Sequence, residues 1–206
     1  MVKFSIIDYK AGNLKSLSKA LEYLNADFII SSDKKEILDV DGIFMPGVGA
    51  FGAAMQNLDE IKFKEILEEI KSRKIQFMGI CLGLQLLYST SEEMGFFTGL
   101  DVIGGHVKKF RDGIKVPQVG WNTIVPSIKD HFMFNDIPPN SYFYFVHSFY
   151  GVPIDPSNIL AETTYEDVTF ASMVTNENFI ASQFHPEKSG KIGLKMLANF
   201  IANAKK

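Results

Sequence analysis

The first eighty residues alternate between short apolar runs and stretches whose apolar residues recur every three or four positions. That alternation narrows the possible folds more than any other feature. Residues 3–8, 27–31, 42–45 and 75–80 have the length and apolarity of buried strands, the third stopped by Pro46-Gly47. Between them, Gly12 and Asn13 open a segment with Leu14, Leu17, Leu21 and Leu24 on one helical face. Residues 34–38 read as a short helix, and residues 61–73 place Ile61, Ile66, Leu67 and Ile70 on one side of a charged helix. Neighbouring parallel strands need a long crossover, and helices supply it, so this half predicts βαβ units and a parallel sheet. Residues 82–88 restart as a helix. Beyond them, residues 102–110, 115–119, 142–149, 159–165, 169–174 and 179–184 read as strands punctuated by Gly, Pro, Asn and Asp, several forming antiparallel hairpins. Residues 191–203 close the chain as an amphipathic helix. Without a repeat or linker, residues 1–206 are expected to form one α/β domain. Its central, mostly parallel twisted sheet is flanked by helices, and extra antiparallel strands lie in the second half.

Composition removes several function classes. The net charge is −3 with no basic stripe, which argues against nucleic-acid binding. No apolar run approaches the roughly 20 residues that cross a bilayer. The N-terminal sequence enters a strand-like run directly, without a signal-peptide pattern, so a cytoplasmic location is expected. One cysteine cannot form an intrachain disulfide. With four dispersed histidines it gives no metal-ligand spacing, so neither metal nor cofactor is expected.

That cysteine stands in Gly79-Ile80-Cys81-Leu82-Gly83, where a predicted strand meets a predicted helix. A sharp strand-to-helix turn presents its central side chain at the carboxyl edge of the sheet, and only small residues fit two positions either side. The positive helix end favours a thiolate. The first helical N–H, that of Leu82, points where an oxyanion would form. The alternative reading is a glycine-flanked turn around an inert, buried thiol.

A thiolate nucleophile needs an imidazole held by a third group. His131 falls in a polar, solvated loop, His106 in a strand after two glycines, and His147 at an apolar strand end that suits a satisfied core histidine. His185 stands in His185-Pro186-Glu187. Pro186 biases His185 to an extended conformation, in which residues two apart share a face, so Glu187 can hold one ring nitrogen. A local surface pair is the alternative. Pro46-Gly47-Val48-Gly49-Ala50-Phe51 follows a parallel strand, and a peptide between two glycines turns at little cost. Val48 and Gly49 are therefore candidate second oxyanion donors, against the alternative of a plain turn.

Taken together, the Pro46–Phe51 loop, the Cys81 elbow continued by Gln85, and His185-Pro186-Glu187 resemble the triad (class I) glutamine amidotransferases over essentially the whole chain. Asp8-Tyr9 with Gly12-Asn13-Leu14, Pro117-Gln118-Val119-Gly120-Trp121-Asn122 and Tyr144-Phe145-Val146-His147-Ser148-Phe149 resemble the glutaminase subunits of imidazole glycerol phosphate synthases. Lys10 departs from the glycine expected in the first loop. The resemblance implies a Cys81–His185–Glu187 triad, with glutamine held by Gln85 and the Ser148-Phe149 backbone. It also implies a (β/α)8-barrel cyclase partner in histidine biosynthesis, contacted near Asn13, Trp121 and Lys188, and activity that waits for that partner. Other readings are a triad glutaminase serving a different synthase, a cysteine hydrolase of the same fold, and a scaffold with a decayed site.

Overall fold

A computed structural model describes residues 3–204. In chain order the elements are β1 (Lys3–Ile7), α1 (Leu14–Tyr23), β2 (Asp27–Ser31), α2 (Lys34–Leu38), β3 (Gly42–Gly47), α3 (Phe51–Glu60), α4 (Phe63–Arg73), β4 (Gln76–Cys81), α5 (Leu82–Leu86), β5 (Tyr88–Ser91), β6 (Phe97–Thr98), β7 (Ile103–Lys109), β8 (Gln118–Thr123), β9 (Val125–Pro126), β10 (Tyr142–His147), β11 (Phe149–Pro153), β12 (Ile159–Tyr165), β13 (Val168–Asn176), β14 (Phe179–Ser182) and α6 (Gly190–Ala204). Eight strands form the central sheet in the order β2-β1-β3-β4-β14-β13-β12-β9. It is parallel from β2 to β14 and antiparallel from β14 to β9. Two smaller sheets, β10-β8 and β11-β7-β5-β6, carry the remaining strands.

Alternation within the strands builds two cores, one on each face of the sheet. On β3, Ile43 and Met45 pack with α3 and α4, while Phe44 packs with α1 and α6. The rings of Phe44 and Phe200 lie 5.0 Å apart, and Phe4 joins them at 5.6 Å from Phe44. Helix starts follow the side chains that cap them. Asn13 accepts from the Ser16 N–H, and Asp33 accepts from Lys35 and Glu36, satisfying donors that a first turn leaves open.

Several boundaries differ from expectation, each for a local reason. β3 runs through Pro46-Gly47, because Gly47 still pairs with Cys81 in parallel register. Helix α3 was not anticipated: its glycine, alanines and scattered apolar residues hide the helical period. The helix expected over 82–88 stops at Leu86, and Tyr88 begins a strand. The strand expected at 115–119 starts only at Gln118. The single strand expected over 142–149 breaks at Ser148 into β10 and β11, which pair in different sheets. Lys10 has φ 61, a left-handed conformation that glycine adopts without strain, which accounts for the glycine expected there. Its Nζ meets Glu60 at 2.9 Å on the surface.

Candidate active site

The carboxyl ends of three adjacent parallel strands create the site. β3 pairs Gly47 with Cys81 of β4, and β14 pairs Ser182 with Ile80. The loops leaving β3, β4 and β14 therefore open into one crevice, where ligands of parallel sheets usually bind. Cys81 occupies φ 56, ψ −107, a strained conformation for a residue with a side chain, and α5 begins at the next residue. The elbow has no room for larger flanks. A Cβ on Gly79 would come within 2.7 Å of the Gly83 carbonyl oxygen, and one on Gly83 would strike the Met45 carbonyl oxygen.

A cavity of about 320 Å3 is lined by Val48, Gly49, Cys81, Leu82, Gln85, Glu93, Pro117, Val146, His147, Ser148, Phe149 and His185. It gathers eight of the nine residues named from the sequence for catalysis, oxyanion binding and substrate. The ninth, Glu187, stands behind His185. A larger hollow of about 430 Å3 beside β9 is mostly apolar, with Lys129 its one charged lining residue, and its lining holds neither cysteine nor histidine.

His185 Nδ1 meets Glu187 Oε1 at 2.8 Å, and both side chains are almost fully buried. The route is not the extended one expected. His185 is extended at φ −100, ψ 95, but Pro186–Lys188 form a single 3-10 turn that swings Glu187 back beneath the ring. Burial opposes the imidazolium, yet the negative sulfur of Cys81 and the Glu187 carboxylate outweigh it, and the pKa of His185 is pushed up to about 10. Among the described residues His185 Nε2 has no nitrogen or oxygen partner, which leaves it free to face Cys81. The backbone is pinned: His185 N–H donates to the Tyr144 carbonyl, and Ser189 Oγ donates to the His185 carbonyl while accepting from the Tyr144 N–H.

Elsewhere in the cavity wall, Gln85 Nε2 donates to the Phe149 carbonyl at 2.9 Å and to Gln183 Oε1 at 3.2 Å. Both amide hydrogens are thereby committed, which leaves Gln85 Oε1 as an acceptor for an N–H of a ligand. His147 is buried, with Nδ1 2.8 Å from the same carbonyl and Nε2 2.9 Å from Gln118 Oε1. The Phe149 carbonyl only accepts, so Nδ1 carries the proton, and a neutral ring then accepts at Nε2 from Gln118 with that amide turned to present its nitrogen. Burial, with the charge of His185 adding to it, pulls the His147 pKa down to about 4. His131, expected to be solvated, is half-buried, and its Nδ1 accepts from the Met133 N–H at 3.3 Å.

Two further groups had not been anticipated. Glu93 Oε2 accepts from the Phe51 N–H at 2.7 Å, so a carboxylate caps α3 at the cavity wall beside the Val48-Gly49 loop. No pattern around Glu93 distinguishes it from a surface carboxylate. Gln183 is wholly buried against Cys81. Its signal was present: a polar residue in an apolar run, two positions before His185. Asn13 caps α1. Trp121 is more than half exposed on β8, edge-on to Tyr144 with centroids 6.0 Å apart. Lys188 ends the 3-10 turn after His185.

A parallel sheet with a cysteine elbow at the end of β4 and a buried His–Glu pair after β14 is the architecture of an amidotransferase. The model of the family described as "Glutamine amidotransferase class-I" matches residues 5–204. Among solved structures, the chain resembles PurLQS from Thermotoga maritima at 19% identity and TM-score 0.75, covering 100% of this chain and 99% of that one. This second likeness speaks for the fold alone. The chain is 48% identical to the imidazole glycerol phosphate synthase subunit HisH of Methanocaldococcus jannaschii, over 95% of this chain and 97% of that protein. It is 44% identical to the protein of the same name from Chlorobaculum tepidum, again over 95% and 97%. The chain belongs to the class-I glutamine amidotransferases, in the branch of the HisH glutaminase subunits of imidazole glycerol phosphate synthase.

Proposed function

We propose that Cys81, His185 and Glu187 hydrolyse glutamine to glutamate and ammonia, and that the ammonia passes to a (β/α)8-barrel cyclase subunit in histidine biosynthesis. The observation that carries this reading is the convergence of the Cys81 elbow and the buried His185–Glu187 pair on one cavity. Cys81 sulfur attacks the side-chain amide carbon and forms a C–S bond. The oxyanion that develops is held by the Leu82 N–H and a backbone N–H of Val48-Gly49. Removing one such donor typically costs about 10²–10³-fold in rate. His185 Nε2 gives its proton to the leaving nitrogen as the C–N bond breaks, releasing ammonia. It then takes a proton from water, which cleaves the thioester and returns the thiolate. Glu187 fixes the tautomer and stabilises the imidazolium. Gln85 Oε1 and the Ser148-Phe149 backbone hold the glutamine, and the Glu93 carboxylate at the wall complements an α-ammonium group.

Free ammonia is protonated in neutral water and ceases to be a nucleophile, so the product needs a covered exit. The β8–β10 ribbon supports a docking face there. Its register places Val119 beside Val146, Trp121 beside Tyr144 and Thr123 beside Tyr142 on one side. Val119, Trp121 and Tyr142 are each more than half exposed, and Val146 lines the cavity. The family resemblance assigns Asn13 and Lys188 to the same contact. The cyclase would combine ammonia with the phosphoribulosyl-formimino-AICAR nucleotide, giving imidazole glycerol phosphate and AICAR ribonucleotide. We place the pair in the cytoplasm, where a free catalytic thiol stays reduced. Gly49, at φ 109 in an exposed loop, allows the second donor to turn when the partner binds, so low activity is expected of the isolated chain.

The test uses the complex reconstituted with the cyclase and its nucleotide. Cys81→Ala should abolish glutamine-dependent turnover and leave turnover with ammonium salts intact. Persisting glutaminase activity would overturn the reading.

A further inference from the structure

Gln183 has no part in the mechanism above, yet its side chain is fully buried and touches the nucleophile. It follows β14 directly, and its backbone N–H donates to the Ser172 carbonyl at 2.8 Å, which fixes it against β13. Its Nε2 lies 3.7 Å from Cys81 Sγ, within hydrogen-bonding distance for sulfur, and its Oε1 lies 3.2 Å from Gln85 Nε2.

The direction of this contact follows from a chain of partners. The Phe149 carbonyl can only accept, so the Gln85 end that meets it at 2.9 Å is the amide nitrogen. That nitrogen spends its second hydrogen on Gln183, which must therefore present its oxygen to Gln85. The opposite end of the Gln183 amide, its nitrogen, then faces sulfur. A flipped Gln183 would set two donors against each other at Gln85. Besides the His185 imidazolium, which favours a thiolate, the sulfur lies 3.9 Å from the Val146 carbonyl. That carbonyl accepts from a thiol and repels a thiolate, and the Gln183 donor opposes it, adding to His185 in favour of the ionised form.

We propose that Gln183 is a catalytic residue that holds Cys81 as a thiolate by donating a hydrogen bond to its sulfur. Its orientation is imposed through Gln85 from the Phe149 carbonyl. This deepens the glutaminase reading and rests on Cys81 being its nucleophile. It also makes Gln85 serve two ends: Gln85 Oε1 faces the substrate, while Gln85 Nε2 orients the amide that tunes the nucleophile.

The chain contains one cysteine, so alkylation reports on Cys81 alone. The rate of modification of the full chain by iodoacetamide is followed across pH in the wild type, Gln183→Leu and Gln183→Glu, with folding checked by circular dichroism. Losing a hydrogen bond to a charged group should raise the ionisation midpoint by about one pH unit in Gln183→Leu. That is about a tenfold drop in thiolate fraction below the midpoint. Gln183→Glu keeps the size and places a carboxylate at the sulfur, so its midpoint should rise further. An unchanged or lowered midpoint in either folded variant overturns the proposal, and Gln183→Glu carries the test if Gln183→Leu does not fold. Alkylation needs no glutamine turnover. Failure here therefore leaves the glutaminase reading standing, while loss of that reading shows separately as a wild-type complex that does not hydrolyse glutamine.

Discussion

Two histidines are buried against the same cavity from two regions of the molecule, His185 in the turn after β14 and His147 at the corner between β10 and β11. They are only 2% and 6% exposed, yet their protonation is driven in opposite directions, up to about 10 and down to about 4. Burial disfavours the cation at both. The difference lies in what each ring meets. His185 has a carboxylate at 2.8 Å and the Cys81 sulfur in front of it. His147 has a carbonyl and an amide, which satisfy a neutral ring and nothing more. One ring is held as a cation beside a sulfur and the other as a neutral donor to a carbonyl. Hydrogen bonding at the two rings follows the same division: among the described residues His185 Nε2 and Glu187 Oε2 have no nitrogen or oxygen partner, whereas both nitrogens of His147 are used.

Substitutions can break this contrast. The largest effect should come from His185→Asn in the reconstituted complex. Glutamine-dependent turnover should fall by about 10²–10⁴-fold, with ammonium-dependent turnover retained. Glu187→Gln should cost about 10²-fold and change the pH profile as well. Removing the carboxylate disfavours the imidazolium, so the alkaline limb of glutaminase activity, set by the raised pKa of His185, should move toward neutrality.

Acid stability separates the regions in another way. The folded protein keeps His147 neutral, while its unfolded chain takes up a proton near the ordinary pKa of 6.5. Between about pH 6.5 and 4 the unfolded state binds more protons, so stability falls as pH falls. The loss attributable to His147 approaches about 3 kcal/mol. His147→Phe should remove that part of the slope in urea titrations run from pH 7 to 4. His185 has the opposite sign. Its raised pKa adds stability that is complete below about 6.5 and is lost as pH rises through about 10. The smallest effect is kinetic. His147→Phe takes one donor from the Phe149 carbonyl that also anchors Gln85. The KM for glutamine should rise about tenfold while kcat changes little.

Sequence periodicity carried much of this architecture, because buried strands and amphipathic helices announce themselves through local spacing. Strands β2 and β12 and helix α2 lie where spacing put them. The elbow and His185-Pro186-Glu187 were legible because each is a local motif with its own backbone requirement. Helix α3 was not, since Phe51-Gly52-Ala53-Ala54 follows a glycine loop and gives no clear period. The break at Ser148 was hidden too. Both halves of residues 142–153 suit a strand, and only their pairing with β8 and β7 in different sheets separates them. Glu93 and Gln183 depend on long-range contacts, 42 positions to Phe51 and 102 to Cys81, that no local pattern encodes. Lys10 was flagged as a departure, and its left-handed backbone shows that the fold, rather than the chemistry, is what asks for glycine there.

The contrast between the two histidines can be read directly by following the imidazole nitrogen and carbon resonances of the four histidines by NMR from pH 4.5 to 9.5. The account predicts that His185 stays protonated through pH 9 and that His147 stays neutral, with hydrogen on Nδ1, down to about pH 5. A neutral His185 at pH 7, or a His147 that titrates near 6.5, would contradict it.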